Sequence, residues 1–204
     1  MLTAMGDVMR TAYQRGWITT RDGNISVVKK EGKFLYITPT GVRKTIIHPE
    51  HIVKLPIEKW LGRRRLVDPD IKGASGELYM HFMIHEKTNE TRSVVHLHPT
   101  HVVAALHRGF DLQKICTQFP ELYRYTRIGP SVPAFPALSH ELAVSTAECL
   151  GVQDDGSLKY DIVGQASHGV CSVARDPWTA FEHIERLNHI CEIVRSEEHT
   201  SELQ

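Results

Sequence analysis

The stretch Ser93-Val-Val-His-Leu-His-Pro-Thr100 decides how the chain is read. Its two adjacent valines mark Ser93–Leu97 as a strand, because β-branched side chains suit a pleated surface. Thr100–His107 follows as a helix that ends at Gly109. Residues two apart on a strand share a face, so His96 and His98 can present both imidazoles to one ion. Neutral imidazole is a common zinc ligand. Taken alone, the pair also suits two polar residues on an exposed strand face. A third ligand is needed, and His168 in Ser167-His168-Gly169 is the best candidate. It lies between the predicted strands Asp161–Gly164 and Gly169–Ala174, beside a glycine that permits close backbone approach.

Upstream, Gly73-Ala-Ser-Gly76 leads into Glu77, which opens a helix predicted over Glu77–Lys87 with Ser75 or Gly76 at its start. A first-turn glutamate can simply favour the helix dipole. It can also be a carboxylate beside a metal-held carbonyl, placed to take a proton from the adjacent carbon. Three small polar loops, Gly23-Asn24, Thr40-Gly41 and Ser75-Gly76, each read as a turn. Together they offer backbone N–H groups and hydroxyls suited to a phosphate.

The remaining pattern is mixed. Leu2, Met5, Val8, Met9 and Tyr13 describe one face of a helix over Met1–Arg15, stopped by Gly16. Asn24–Lys29 and Phe34–Ile37 read as a hairpin turning at Lys30–Lys33, and Thr38–Gly41 as a loop. Ile52–Leu55 and Ser131–Phe135 are short strand candidates. Lys59–Gly73 is basic and irregular, and Asp111–Gly129 carries no clear pattern. Glu141–Leu150 is a helix stopped by Gly151, and Pro177–Val194 is a long helix with proline in its first turn. Strands are adjacent too often for pure βαβ alternation, so one α/β domain is expected.

Composition bounds the function. The 204 residues suggest one domain, or two small ones at most, with a core that needs no disulfide or structural metal. With 41% hydrophobic and 24% charged residues the chain reads as globular rather than disordered. Lys+Arg and Asp+Glu are 24 each, which removes the electrostatic case for nucleic acid or an anionic membrane as partner. No apolar run approaches the roughly 20 residues of a membrane helix. Met1–Trp17 lacks the basic start and apolar block of a signal peptide. Cys116, Cys149, Cys171 and Cys191 are widely spaced, which suggests reduced, mostly buried thiols and a cytoplasmic protein. The 13 histidines invite the search for a metal site.

The last residues, Arg195–Gln204, break the apolar pattern before them. They resemble a common sequencing-adapter oligonucleotide read as coding sequence, and 195–204 is set apart from the domain, 1–194, on that ground. The natural C-terminus then lies outside this chain. The alternative is a polar tail that frays.

In this order, Arg21-Asp-Gly-Asn-Ile-Ser26, Tyr36-Ile-Thr-Pro-Thr-Gly41, Ala74-Ser-Gly-Glu77, Val94-Val-His-Leu-His98 and Ser167-His-Gly169 resemble the class II aldolase/adducin family. The resemblance spans roughly residues 5 to 194. It implies a three-layer α/β/α fold around a central, mainly antiparallel sheet, and a homotetramer with sites between subunits. It implies that His96, His98 and His168 bind zinc or another divalent ion such as manganese or cobalt. Glu77 resembles the family's acid/base, and Asn24, Thr40, Gly41, Ser75 and Gly76 fall where members hold a substrate phosphate. The implied activity is metal-dependent retro-aldol cleavage of a small phosphorylated sugar, a ketose 1-phosphate, to dihydroxyacetone phosphate and an aldehyde, similar to fuculose-phosphate aldolase.

A pentulose-phosphate 4-epimerase, a methylthioribulose-phosphate dehydratase or a sugar-acid decarboxylase would share the triad. A non-enzymatic adducin-like module would be free to lose it. A zinc hydrolase could use three histidines equally well. Three departures stand out. Ser75-Gly76 replaces the family's frequent Ser-Ser. Thr117 stands where sugar-phosphate aldolases place a tyrosine that acts in a neighbouring site, with Tyr123 and Tyr125 several residues on. The C-terminal segment that can cover a neighbouring site is lost if 195–204 is foreign. His101 is expected behind the ligands or at an interface. His81, His85 and His183 are expected at the surface or an interface, and Trp178 and Phe181 as core anchors of the last helix.

Overall fold

The computed structural model describes residues 1–29, 34–57, 71–88 and 92–201. Its organising element is the strand Arg92–Leu97 (β4), buried along nearly its whole length. Val95 and Leu97 enter one apolar core and Val94 enters another, because successive side chains leave opposite faces of a strand. Asn24–Val28 (β1) repeats the pattern, with Ile25 and Val27 in the first core and Asn24 and Ser26 on the opposite face.

Around these strands lie Phe34–Ile37 (β2), Val53–Pro56 (β3), Ile162–Gln165 (β5) and Gly169–Ala174 (β6). The six-stranded order is β3-β2-β1-β4-β6-β5, and every neighbouring pair is antiparallel. Leu2–Gln14 (α1), Thr100–His107 (α3), Leu112–Thr117 (α4), Pro120–Tyr125 (α5) and Pro177–Ser201 (α7) pack on the Val95 face. Leu78–Glu86 (α2) and His140–Cys149 (α6) pack on the Val94 face. The expected three-layer α/β/α class is what the chain forms.

Several local readings differ. Ser131–Phe135 is not a strand. Only Val132 makes a parallel bridge, to Gln165, because Pro130, Pro133 and Pro136 remove the N–H groups a ladder needs. The unassigned Asp111–Gly129 contains α4 and α5. Asp111 caps α4 by accepting from the Gln113 and Lys114 N–H groups, and Pro120 sits in the first turn of α5. The last helix runs past Val194 to Ser201. The Lys30–Lys33 turn, and the Lys59–Gly73 connection up to residue 70, lie outside the described residues.

Phe181 is buried as expected, whereas Trp178 is 39% exposed and sets its edge against Phe181 from outside. Phe181 also stacks on Trp17 at 5.2 Å between centroids. The Trp17 carbonyl accepts the His98 N–H at 3.2 Å, so the α7 core holds the backbone that carries His98. All four cysteines are free, and burial pushes the Cys116 and Cys191 thiols up to about 12. Among the described residues no helix is long and apolar enough to cross a membrane.

Candidate metal centre

His96 leaves β4 toward α2 and is 1% exposed. Its Nδ1 donates to the Val170 carbonyl of β6 at 3.0 Å, which leaves Nε2 bare in the neutral ring. His98, just past the strand end, has the same parity, and its Nε2 lies 2.9 Å from His96 Nε2. His168 comes from the turn joining β5 to β6. There Ser167 takes a left-handed φ of 56°, and the His168 N–H returns to the Gln165 carbonyl at 3.0 Å. The three rings lie 4.8 to 5.2 Å apart between centroids, and one nitrogen from each lies within 4.8 Å of the others.

The electrostatics favour neutral rings at His98 and His168. Burial, followed by the neighbouring His96 and His168, brings the His98 imidazole down to about 4. Burial and His96 also lower His168. Imidazole nitrogens converging on one point, with a carboxylate beside them, form a donor set for a divalent cation. The residues present therefore fit a metal.

The carboxylate is Glu77. It holds the N-cap position of α2 but makes no side-chain cap bond, so its charge is not engaged by the helix start. It is 8% exposed. Its Oε2 lies 3.2 Å from His96 Nε2 and its Oε1 3.5 Å from His168 Nε2. The Asn24 amide donates to Oε2 at 3.1 Å. Burial alone would raise this carboxyl. His96, the Asn24 hydrogen bond, His168 and His98 outweigh it, so Glu77 sits below its ordinary value and is ionised at neutral pH.

The loops expected to take a phosphate lie together. Pro39 bridges Ala74, the Thr40 N–H donates to the Gly73 carbonyl at 2.8 Å, and the Ser75 N–H donates to the Thr38 carbonyl at 3.1 Å. Ser75 is buried, and its Oγ accepts the Glu77 N–H at 3.3 Å. Thr40, Gly41 and Gly76 are exposed, and the Gly41 carbonyl accepts from the Arg21 guanidinium. Asn24 is different in kind. Its amide faces Glu77 through nitrogen and His81 through oxygen.

His81, His85 and His183 overturn the surface expectation, since all three are buried. His81 and His85 bind Ser26 of β1, and His183 Nδ1 lies 2.9 Å from the Thr126 hydroxyl. The available signal was composition. Leu78, Tyr79, Met80, Phe82, Met83 and Ile84 leave α2 no polar face on which histidines could meet water. His101 turns to α7, where its N–H binds Asn188 and its ring faces Glu192 and Arg195. Thr117, Tyr123 and Tyr125 are exposed.

Gly169 shows how tightly the turn is set. A Cβ there would stand 2.5 Å from the Leu97 carbonyl oxygen and 2.6 Å from the His98 ring. Backbone cannot yield cheaply, so Gly169→Ala is expected to destabilise the fold by about 1–3 kcal/mol and to disturb His98. Thermal unfolding and metal content read the two effects. An unchanged melting temperature with full metal content would show that β4 and β6 can part without strain.

Comparison with known proteins gives the family and the fold. The family model described as class II aldolase and adducin N-terminal domain matches residues 3–194. An L-fuculose phosphate aldolase from Methanococcus maripaludis is 27% identical over 193 residues, 94% of each chain. A 3-oxo-tetronate 4-phosphate decarboxylase from Pectobacterium atrosepticum is 25% identical over 186 residues, 89% of this chain and 78% of that one. The crystal structure of L-fuculose-1-phosphate aldolase from Thermus thermophilus superposes with a TM-score of 0.75 at 22% identity, covering 97% of this chain and 95% of that one.

Proposed function

Because the chain belongs to the class II aldolase and adducin N-terminal domain family, we propose that it is a lyase cleaving a ketose 1-phosphate to dihydroxyacetone phosphate and an aldehyde. The observation that carries this reading is an ionised, buried Glu77 set against three converging imidazoles. His96, His98 and His168 would hold zinc, or another divalent ion such as manganese or cobalt. A divalent ion supplies positive charge to substrate oxygens as negative charge develops on them.

The protein's own groups do the rest. In the condensation direction Glu77 takes a proton from the reactive carbon of dihydroxyacetone phosphate, and in cleavage it returns that proton. Thr40, Gly41, Ser75 and Gly76 would hold the phosphate, together with the second Asn24 N–H. Fixing the phosphate fixes the carbon against the base, which is a gain in positioning. Gly76 adds no hydroxyl, so backbone N–H groups carry more of that contact. The homotetramer that the resemblance implies is extended to this chain, with exposed Tyr123 and Tyr125 available to a neighbouring subunit. The buried free thiols support a reducing, cytoplasmic setting.

A second reading has its own support. The similarity to a decarboxylase acting on a phosphorylated sugar acid allows the same base and metal to work on a substrate that loses carbon dioxide. Product analysis separates the two. Zinc-loaded protein, given a panel of ketose 1-phosphates, is expected to release dihydroxyacetone phosphate, and a chelator is expected to stop it. An epimer, water loss or carbon dioxide without that release would replace the aldolase reading with the corresponding family reaction.

A further inference from the structure

Behind Glu77 a line of polar groups crosses the interior from β1 to α2. The Asn24 amide nitrogen donates to Glu77 Oε2 at 3.1 Å, and its oxygen meets His81 Nε2. His81 Nδ1 lies 2.7 Å from Ser26 Oγ, which lies 2.8 Å from His85 Nε2. The line follows from the two periodicities. Asn24 and Ser26 are two apart on a strand, and His81 and His85 are one turn apart on a helix. All four residues are buried, so none exchanges its bonds freely with water.

Chemistry gives the line one direction. A carboxylate only accepts, so Asn24 must turn its N–H toward Glu77 and its carbonyl toward His81. His81 must then carry a proton on Nε2. Burial lowers His81 well below its ordinary value, so the ring is neutral, and bare Nδ1 accepts the Ser26 O–H. Ser26 Oγ in turn accepts from His85 Nε2–H. Burial and Arg92 bring His85 to about 3, so its Nδ1 is bare too. That Nδ1 is a buried atom without a hydrogen-bond partner among the described residues. The end of the line is thus a lone pair rather than a stranded N–H, the less costly group to leave unpaired.

We propose that His81 is a positioning residue. Through Asn24 it ties Glu77 Oε2, and so leaves Oε1, on the His168 side, to carry the proton. Without the His81 donor the Asn24 oxygen loses its buried partner, and the amide is held by Glu77 alone. The catalytic half of the proposal rests on Glu77 acting as the base. The orientation half does not.

The test uses His81→Gln and His81→Asn. The glutamine amide can stand near the position of Nε2 and keep a donor toward Asn24, whereas asparagine reaches only the position of Nδ1. The first readout needs no substrate. In 1H–15N spectra of the zinc-loaded protein, wild-type His81 is expected to be protonated on Nε2. Asn24 is expected to show one side-chain amide pair with one slowly exchanging proton. His81→Gln should keep that pattern, and His81→Asn should split it or lose the protection. Protonation on Nδ1, or an Asn24 amide unmoved in His81→Asn, would overturn the proposal.

The second readout is turnover on the substrate that passes the product assay. His81→Asn should lower kcat by roughly 10–100-fold with metal content nearly unchanged, and His81→Gln should recover most of it. Equal losses in both variants would reduce His81 to a packing role and overturn the catalytic half. If His81→Asn does not fold, Ser26→Ala leaves both rings in place. It frees His81 to move its proton to Nδ1, and it should reproduce the Asn24 change in part. An unmoved Asn24 amide there would count against the proposal. Wild-type protein that releases no dihydroxyacetone phosphate would defeat the aldolase reading, and the amide spectra would still decide whether His81 fixes Asn24.

Discussion

Glu77→Gln is expected to keep the metal and to lose turnover by about 10²–10⁴-fold, the range that removal of a positioned acid/base covers. Glutamine matches glutamate in shape, so α2, Ser75 and Asn24 keep their places, and the new amide oxygen can still accept from Asn24. What the variant lacks is a group that can take a proton and give it back. The wild-type carboxylate is suited to that task because two opposed influences meet on it. Burial pushes its proton affinity up, and three imidazoles with the Asn24 N–H pull it down. The group is therefore charged at neutral pH yet shielded from water. Paired measurements of kcat and bound metal per chain check the prediction. Undiminished kcat would remove Glu77 from the acid/base role.

The parts of this site that were legible in the sequence are those governed by a single local period. His96 and His98 share a face because a strand repeats every two residues, and the valines beside them mark the strand. His168 was legible as a turn residue because Gly169 follows it. What stayed hidden depends on contacts distant in sequence. The joining of Thr38–Thr40 to Gly73–Ser75 is a backbone pairing with no local marker. His81 and His85 mislead because a histidine on a helix suggests water. Yet α2 is covered on more than one side, and its polar partners come from β1. Pro130, Pro133 and Pro136 could have warned against a strand at Ser131–Phe135. The α4 and α5 helices, by contrast, are short enough that the Asp111 cap and Pro120 in the first turn identify them better than their periodicity does.

His96→Ala is expected to abolish stable metal binding, with affinity falling by more than about 100-fold, the upper range for losing even an outer partner of a ligand. Among the described residues, His96 is the one of the three imidazoles whose tautomer is set by a protein carbonyl. The Val170 carbonyl accepts from its Nδ1–H and so leaves Nε2 bare toward the centre. Its removal breaks the set at its best-oriented member and leaves His98 and His168 as a pair. It also removes the neighbour that does most to hold the Glu77 carboxyl below its ordinary value. The metal-free protein is weakened separately, since the Val170 carbonyl loses its donor in a buried place, at about 1–3 kcal/mol. The two losses can be told apart by unfolding each protein with and without zinc. A ligand that binds only the folded state at 100 times its Kd adds about 2.7 kcal/mol. Wild type should show that gain and His96→Ala should show none, while both unfold cooperatively without zinc. Full zinc occupancy in the variant would take His96 out of the ligand set. The centre would then have to be rebuilt around His98, His168 and the Glu77 carboxylate, and that arrangement would no longer leave the carboxylate free to move a proton.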